Sequence, residues 1–541
     1  MAIENQILKP NKWEYLVPIL ASLSILISCA IASSKKFFWN DELLSYYLIT
    51  DASFSHLMNA WGDTFNQSPP LYFMLAWLWA KLFGNTELPL RLFSSLTICV
   101  AFTLVWITLR RTYNFWVTSI ATLSVFGLSE LILYHNVEVR MYGLFSAFCA
   151  LALFQFDTIN RQEKCSIKVL IANTLIHGAI VLTHLYGLFY STAILAAFIL
   201  RDRYFKIFRK NVYLSALLGW LFLLPLIPTL INQSNNQAKW FSVIDFITFT
   251  NYFIPGTKFT LFILALLLIS VFIYIIKGSE QQTFATSDRN SSILVAEISL
   301  LILAGTFIAV PVFTWIVTLT IKPILNDRYI IPTIAISWPI LLAYLSSRLL
   351  TEATSSQKQN EKLNWQKFFI NNKHKLSLLI LTLILILHPI YYAKRLGYSG
   401  PKPGINDASY GYTELPIAME AGHDFLPRFY YSAKPSRYFH ILDWDTAVKN
   451  TASAYATGNY THLAALERQY PFINIIQSQD FIGKYDRFLV LNEEDQKWFE
   501  WKIKNNPKYQ VKSLGIVEQG AVNPLELLLV QSNNKGVKKS N

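Results

Sequence analysis

The amino-acid sequence predicts an all-α polytopic membrane domain followed by a small C-terminal α/β domain. Composition carries the first half of that expectation. Of 541 residues, 53% are hydrophobic and only 15% are charged, against roughly 25% charged in ordinary soluble domains. Spacing carries the rest. Apolar runs recur up to residue 393, each near the roughly 20 residues that match the hydrocarbon thickness of a bilayer. Beyond that point the chain turns to short mixed segments, opened by a stretch rich in Gly and Pro at 397–404.

The net charge of +13 invites a nucleic-acid reading. Lys and Arg, however, sit in short clusters between apolar runs, the pattern of cytoplasmic loops, and no nucleic-acid partner is expected. The four cysteines, Cys29, Cys99, Cys149 and Cys165, offer neither a CxxC metal site nor a disulfide framework. Lys9 and Lys12 precede an apolar run from Trp13 to Ser33. That run is too long for a signal peptide and lacks a small-residue cleavage site, so it reads as an uncleaved first span.

Candidate spans lie at 14–34, 88–108, 114–134, 139–159, 167–183, 185–200, 213–231, 257–277, 293–320, 329–348 and 376–393. The basic clusters between them set orientation. Arg110-Arg111, Arg161/Lys164/Lys168, the group from Arg201 to Lys210, Lys277, and Arg348 to Lys375 form one alternating set. Placed in the cytoplasm, that set gives a multi-pass plasma-membrane protein with a cytoplasmic N-terminus and an extracytoplasmic C-terminal domain, 394–541. The opposite loops are poorer in basic residues, with Lys35 and Lys36 as exceptions. Residues 69–83, PPLYFMLAWLWAKLF, are too short to cross, because about 15 residues make roughly 22 Å of helix against a core of about 30 Å. They are expected as a helix at the outer interface, within one long external loop, 35–87.

In the C-terminal domain, RYFHIL (437–442), INIIQ (473–477), RFLVLN (487–492) and LELLLVQ (525–531) read as strands. Residues 445–470 and 494–505 read as helices, and the alternation predicts a largely parallel sheet. No Gly-rich phosphate loop separates these elements, and no chemistry is assigned to the domain.

Chemistry gathers at the predicted outer face. The first external loop opens with Phe37-Phe38-Trp39-Asn40-Asp41-Glu42. A carboxylate beside apolar surface suits proton transfer, while the same residues also fit a helix N-terminus; position alone leaves both readings open. Asn66-Gln67-Ser68-Pro69-Pro70 follows, then Arg91 at the outer start of the second span, then His135 to Tyr142 with Glu138 and Arg140, then Asn326-Asp327-Arg328-Tyr329. Charged groups at such depths are costly and default to functional hypotheses, although arginines near span ends also snorkel. Together the groups supply a carboxylate base, a second carboxylate and cations for a phosphate. These are the needs of sugar transfer from a polyprenyl phosphate to an acceptor hydroxyl, where Arg would stabilise the leaving phosphate.

In their order, WNDE, SPPLYF, KLFG with RLFSSL, VEVRMYG and NDRYIIP, these motifs resemble the GT-C glycosyltransferases. The resemblance is to the protein O-mannosyltransferase-like branch, which includes aminoarabinose transferases and lipopolysaccharide-core galacturonosyltransferases, and it covers roughly residues 13–350. It implies juxtamembrane helices in the first external loop and an undecaprenyl- or dolichyl-phosphate sugar donor, with a lipid, glycan or protein as acceptor. Asp41 is similar to the family's catalytic aspartate and Glu42 to the glutamate that follows it. Glu138, Arg140 and Tyr142 match its second acidic motif, and Arg328-Tyr329 a pair that contacts lipid phosphate. Gln67, Arg91 and His184 are expected nearby as substrate-binding groups. The family often has an ionisable residue just before the Pro-Pro, and some relatives bind a metal there; Gln67-Ser68 are poor ligands, so neither metal nor cofactor is expected. A polytopic transporter and a lipid-linked oligosaccharide ligase or polymerase share parts of this pattern. Against the transporter, no pair of Gly/Pro-broken spans stands in matching halves and the polar residues gather at one face; against the ligase or polymerase, the carboxylate pair directly after span one, followed by a long external loop, favours the transferase.

Overall fold

A computed structural model of the protein describes residues 10–63, 68–235, 243–254, 256–263, 291–355, 365–397, 410–451, 456–494, 496–520 and 523–533. Seven helices among them are long and apolar enough to cross a membrane: Lys12–Ser33, Glu87–Arg110, Tyr142–Asn160, Lys210–Asn232, Ser292–Thr320, Asp327–Arg348 and Leu376–Arg395. Leu71–Phe83, Phe115–Leu128 and Ile167–Thr183 are apolar but shorter. The span expected at 257–277 falls mostly outside the described residues.

The first elements are α1 (Leu16–Ser33), α2 (Asn40–Ile49), α3 (Phe54–Gly62), α4 (Leu71–Phe83) and α5 (Glu87–Arg110). Among its described residues, the 35–87 segment thus folds as three short helices between two long ones. The helix α4 starts after Pro70 and stops at Gly84, whose φ of +100° is one that other residues rarely adopt. The run expected as one span at 114–134 is two helices, α6 (Phe115–Leu128) and α7 (Glu130–His135), broken at Ser129. The break has a cause: Ser129 is extended and its hydroxyl accepts the Ile132 N–H, starting a new helix. Next come α8 (Tyr142–Asn160), α9 (Ile167–Thr183), α10 (Gly187–Tyr204) and α11 (Lys210–Trp220). The span expected at 213–231 continues from α11 through a 3₁₀ turn at Leu221–Leu226, which contains Pro225, into α12 (Ile227–Asn235).

Helix α5 packs on α1 and α8. The approach to α8 is close at Gly143, where a Cβ would lie 2.5 Å from Thr97 Oγ1 and 2.6 Å from the Ser94 carbonyl. At one end of the bundle the basic clusters meet acidic partners: Arg110 pairs with Glu14, Arg111 and Arg161 with Asp157, and Arg201 and Arg209 with Asp202. The opposite end collects the C-terminus of α1, the start of α5, the turn between α7 and α8, and the 326–331 segment.

The C-terminal part holds a six-stranded sheet, β1 (Ile417–Met419), β2 (Tyr438–Leu442), β3 (Ile475–Gln477), β4 (Arg487–Glu493), β5 (Tyr509–Gln519) and β6 (Pro524–Ser532). Its order is β3-β2-β1-β4-β6-β5. The pairings among β3, β2, β1 and β4 are parallel, and β6 pairs antiparallel with both β4 and β5. The sheet is therefore mixed, because a hairpin of β5 and β6 adds an antiparallel edge to the parallel half. Strands β1 and β5 escaped the sequence reading: β1 has three residues, and β5 carries two register shifts and alternates poorly. The single helix expected at 445–470 is two, Trp444–Lys449 and Ala456–Gln469.

Burial just past β1 pushes the Glu420 carboxyl up to about 8, against the opposing effect of the Trp498 N–H that it accepts at 2.7 Å. The folded state therefore holds a proton that the unfolded chain releases near 4.5. The stability carried by that protonated form is complete below the unfolded value and is lost as pH rises to about 8. Thermal unfolding of the full-length protein should thus be earlier at alkaline than at mildly acidic pH. Glu420→Gln keeps an acceptor for Trp498 and should flatten that dependence.

Candidate active site

The site is built around the link from α1 to α2. Asp41 and Glu42 lie in the first turn of α2, where negative charge complements the helix dipole, and Glu42 Oε2 accepts the Trp39 N–H at 3.4 Å. Capping is only part of the role of Glu42. Its fully buried carboxylate takes Arg91 Nε at 3.2 Å and Nη2 at 3.1 Å, and the Val139 N–H at 3.0 Å. Arg91 also donates to the Lys36 carbonyl at 2.5 Å. One guanidinium therefore holds both ends of the Lys36–Glu42 link, and Glu42 ties the link to the turn before α8. A buried pair is stable only when its remaining donors and acceptors are met, and these contacts meet them.

Asp41 faces the other way and is about one-fifth exposed. Two arginines from distant parts of the chain converge on it. Arg328 Nη1 lies 3.3 Å from Asp41 Oδ2, and Arg140 Nη2 lies 3.6 Å from the same oxygen. Arg140 Nη1 also donates to the Asp41 carbonyl at 3.1 Å and to Ser45 Oγ at 3.3 Å. The Gly143 approach and a hydrogen bond from Ser94 Oγ to the Arg140 carbonyl, 3.3 Å, fix Arg140. Arg328 is set by a 3₁₀ turn, Asp327–Ile330, in which the Asn326 and Asp327 side chains both accept its N–H. Its guanidinium sits 5.8–5.9 Å from the rings of Trp39, Tyr142 and Tyr329, within cation–π range.

Glu138 forms a third buried centre. Lys36 Nζ reaches its Oε1 at 2.9 Å and His135 Nδ1 its Oε2 at 2.6 Å. Lys35 Nζ donates to the carbonyls of Ala393, Lys394 and Leu396, at 3.3, 2.6 and 3.0 Å, where the helix Trp365–Arg395 ends. Both lysines that broke the charge pattern thus have partners at this end of the bundle.

Charge is balanced around Glu42 by Arg91 and around Glu138 by Lys36. Around Asp41 it is not: one carboxylate meets two guanidinium groups. Arg140 Nε, Arg328 Nε and Trp39 Nε1 are buried with no acceptor among the described residues. Trp39 and Arg328 also line a cavity of about 640 Å³, together with Glu130, Tyr134, His135, Glu138, Asn251, Asn326, Asp327 and Tyr392, among others; Arg140 lies behind Arg328, on the far side of Asp41. The arrangement can take an anion at Arg328, which would draw that guanidinium from Asp41 and free the carboxylate to accept a proton.

Of the residues expected from sequence, Glu138 and Arg328 line the cavity. Asp41 lies directly behind Arg328, with Arg140, Tyr142 and Tyr329 around it. His184 is buried, stacks on Phe145 at 5.1 Å, and touches the Tyr329 ring at 4.7 Å; its Nδ1 accepts the Tyr186 N–H. It supports the aromatic wall and does not line the cavity. Arg91, expected at the substrate, is sealed from solvent and taken up by Glu42 and Lys36. Gln67 lies outside the described residues. The sequence points to no site role for Lys36 or His135 and reads Trp39 as an interface anchor, although a basic residue on the wrong face is a signal for Lys36.

Among the described residues, one group could offer metal ligands together, His423, Asp424 and Glu493 in the C-terminal domain. His423 Nε2 is 3.2 Å from Glu493, and Arg428 is 3.0 Å from Asp424 and 2.5 Å from Glu518. Asp424 is already paired with Arg428, and none of the three residues lines the cavity beside Arg328.

Residues 67–231 match the family model described as dolichyl-phosphate-mannose-protein mannosyltransferase. No curated protein matches the sequence. Among solved structures, ArnT from Cupriavidus metallidurans bound to undecaprenyl phosphate aligns over 96% of this chain and 98% of its own, with a TM-score of 0.55 at 13% identity. The same protein in the apo state aligns over the same shares, with a TM-score of 0.57 at 11% identity. The likeness spans both the membrane helices and the C-terminal sheet.

Proposed function

We propose that this chain, built on the GT-C fold, is a membrane glycosyltransferase that moves a sugar from a polyprenyl-phosphate donor to an acceptor hydroxyl on a lipid, glycan or protein. The family match and the whole-chain likeness to ArnT, solved bound to undecaprenyl phosphate, support this reading. The observation that carries it is the pair of guanidinium groups on the single Asp41 carboxylate, with the spare buried donors of Arg328 and Trp39 at a cavity large enough for a sugar.

In this mechanism the donor phosphate takes the Arg328 and Arg140 donors, which stabilise its charge as it leaves. Released from Arg328, Asp41 accepts the proton of the acceptor hydroxyl while that oxygen attacks the anomeric carbon. One base and one displacement give inversion. Glu42 and Arg91 hold Asp41 in place, and Glu138 with Lys36 and His135 forms the facing wall. The basic clusters at the other end of the bundle favour a cytoplasmic N-terminus, with the site and residues 394–541 on the outer face of the plasma membrane.

Binding of undecaprenyl phosphate to purified protein tests the phosphate assignment. Arg328→Ala or Arg140→Ala should weaken it about tenfold to a hundredfold, from roughly 1.5–3 kcal/mol per charge-assisted contact. Arg328→Lys should recover only part, because an ammonium lacks the planar fork. Unchanged affinity in both alanine variants would leave these arginines as interface anchors.

A further inference from the structure

The C-terminal domain reaches the loop that carries Asp41. Tyr431, the last residue of the helix Gly422–Tyr431, accepts the Phe38 N–H at 2.8 Å, three positions before Asp41. The same hydroxyl donates to Glu87. Glu87 Oε2 lies 3.9 Å from Arg91 Nη1, and Arg91 grips Glu42 and the Lys36 carbonyl. One phenol therefore joins the backbone of the Asp41 loop to the buried pair that clamps both ends of that loop. Burial, and then the Glu87 carboxylate, raise the phenol's pKa, so it stays a donor.

Aromatic contacts seat the hydroxyl. The Tyr431 ring meets Phe37 at 5.4 Å, and Tyr430 meets Phe38 at 5.8 Å and Tyr46 at 5.1 Å. A second, separate set of contacts lies farther along the external loop. There Arg468 reaches Asp63 at 2.6 Å, and Tyr470 donates to Asp51 at 2.9 Å. These contacts also join the domain to the external loop, yet none of them touches the Lys36–Glu42 link. Tyr431 does, at a backbone N–H that no helix satisfies, because Phe38 precedes α2.

We infer that Tyr431 is a positioning residue for the proposed transfer, and that through it the C-terminal domain forms part of the active site. The inference rests on the assignment of Asp41 as the base. A plain docking contact predicts that losing the hydroxyl weakens the interface and nothing more. A positioning contact predicts that the Asp41 loop loosens and that turnover falls while the arginine-held phosphate binds as before.

Tyr431→Phe, made in the full-length protein, separates these outcomes, since it keeps the ring contacts and removes only the hydroxyl. Amide exchange of the 37–42 segment should speed up severalfold, with α8 unchanged. Turnover should fall about tenfold, while the Kd for undecaprenyl phosphate stays within about twofold of the parent. Adding Glu87→Gln to Tyr431→Phe removes the stranded carboxylate and should not restore turnover, because the Phe38 N–H remains without its acceptor. Unchanged exchange in the 37–42 segment overturns the inference, and so does full recovery in the double variant. Exchange is readable without any sugar donor. A parent protein that transfers no sugar would therefore defeat the proposed function while the positioning result stood by itself.

Discussion

Asp41→Asn is expected to lower sugar transfer by about 10²–10⁴-fold, the usual worth of a positioned general base, with little change in folding or membrane insertion. The amide is nearly isosteric, still complements the start of α2, and still offers an oxygen to Arg140 and Arg328. What it loses is the capacity to take a proton. A helix-capping role predicts the opposite pattern: near-normal turnover in Asp41→Asn and lower stability in Asp41→Ala. Donor affinity gives a further check. Removing the Asp41 charge leaves Arg140 and Arg328 without a competing carboxylate, so undecaprenyl phosphate should bind the Asn variant at least as tightly as the parent. A large loss of turnover with undiminished donor binding is the signature expected of a base.

Arg91→Ala is expected to act on the fold first. It strands the fully buried Glu42 carboxylate, and breaking a buried pair by removing one partner costs about 3–5 kcal/mol. It also frees the Lys36 carbonyl and, through Glu87, the anchor of Tyr431. The yield of detergent-solubilised protein and its thermal midpoint should both fall sharply. Adding Glu42→Gln, which removes the stranded charge, should recover part of the midpoint. A midpoint unchanged in Arg91→Ala would mean that Glu42 does not depend on Arg91, and would dissolve the clamp on the Asp41 loop.

How far the sequence foretold this differs from one residue to the next. The long apolar runs were legible because a 20-residue hydrophobic helix has few soluble uses, and α4 was legible as too short to cross. The break at Ser129 was not, since a serine inside an apolar run reads as tolerated until its hydroxyl is seen capping Ile132. Strands β2, β3, β4 and β6 announced themselves by branched apolar residues. Strand β1, at three residues, carries too little pattern, and β5 hides behind its register shifts. In the site, Asp41, Arg140 and Arg328 were singled out by charge at membrane depth, and the structure brings them into contact. Arg91 looked the same in sequence and is a buried clamp, because only packing reveals that Glu42 faces it. Lys36 breaks the charge rule in sequence, and its ion pair with Glu138 accounts for the exception. Nothing in the sequence links Tyr431 to Phe38, 393 positions earlier.

The most direct test of the account is the anomeric configuration of the product. Purified full-length protein would be given a synthetic undecaprenyl-phosphate sugar of defined anomeric configuration, together with acceptors from a membrane extract, and the new linkage read by NMR. The account predicts an inverted linkage formed by the parent and lost to within about 1% in Asp41→Asn, the lower bound for a general base. A retained linkage, or near-normal turnover in Asp41→Asn, would contradict it.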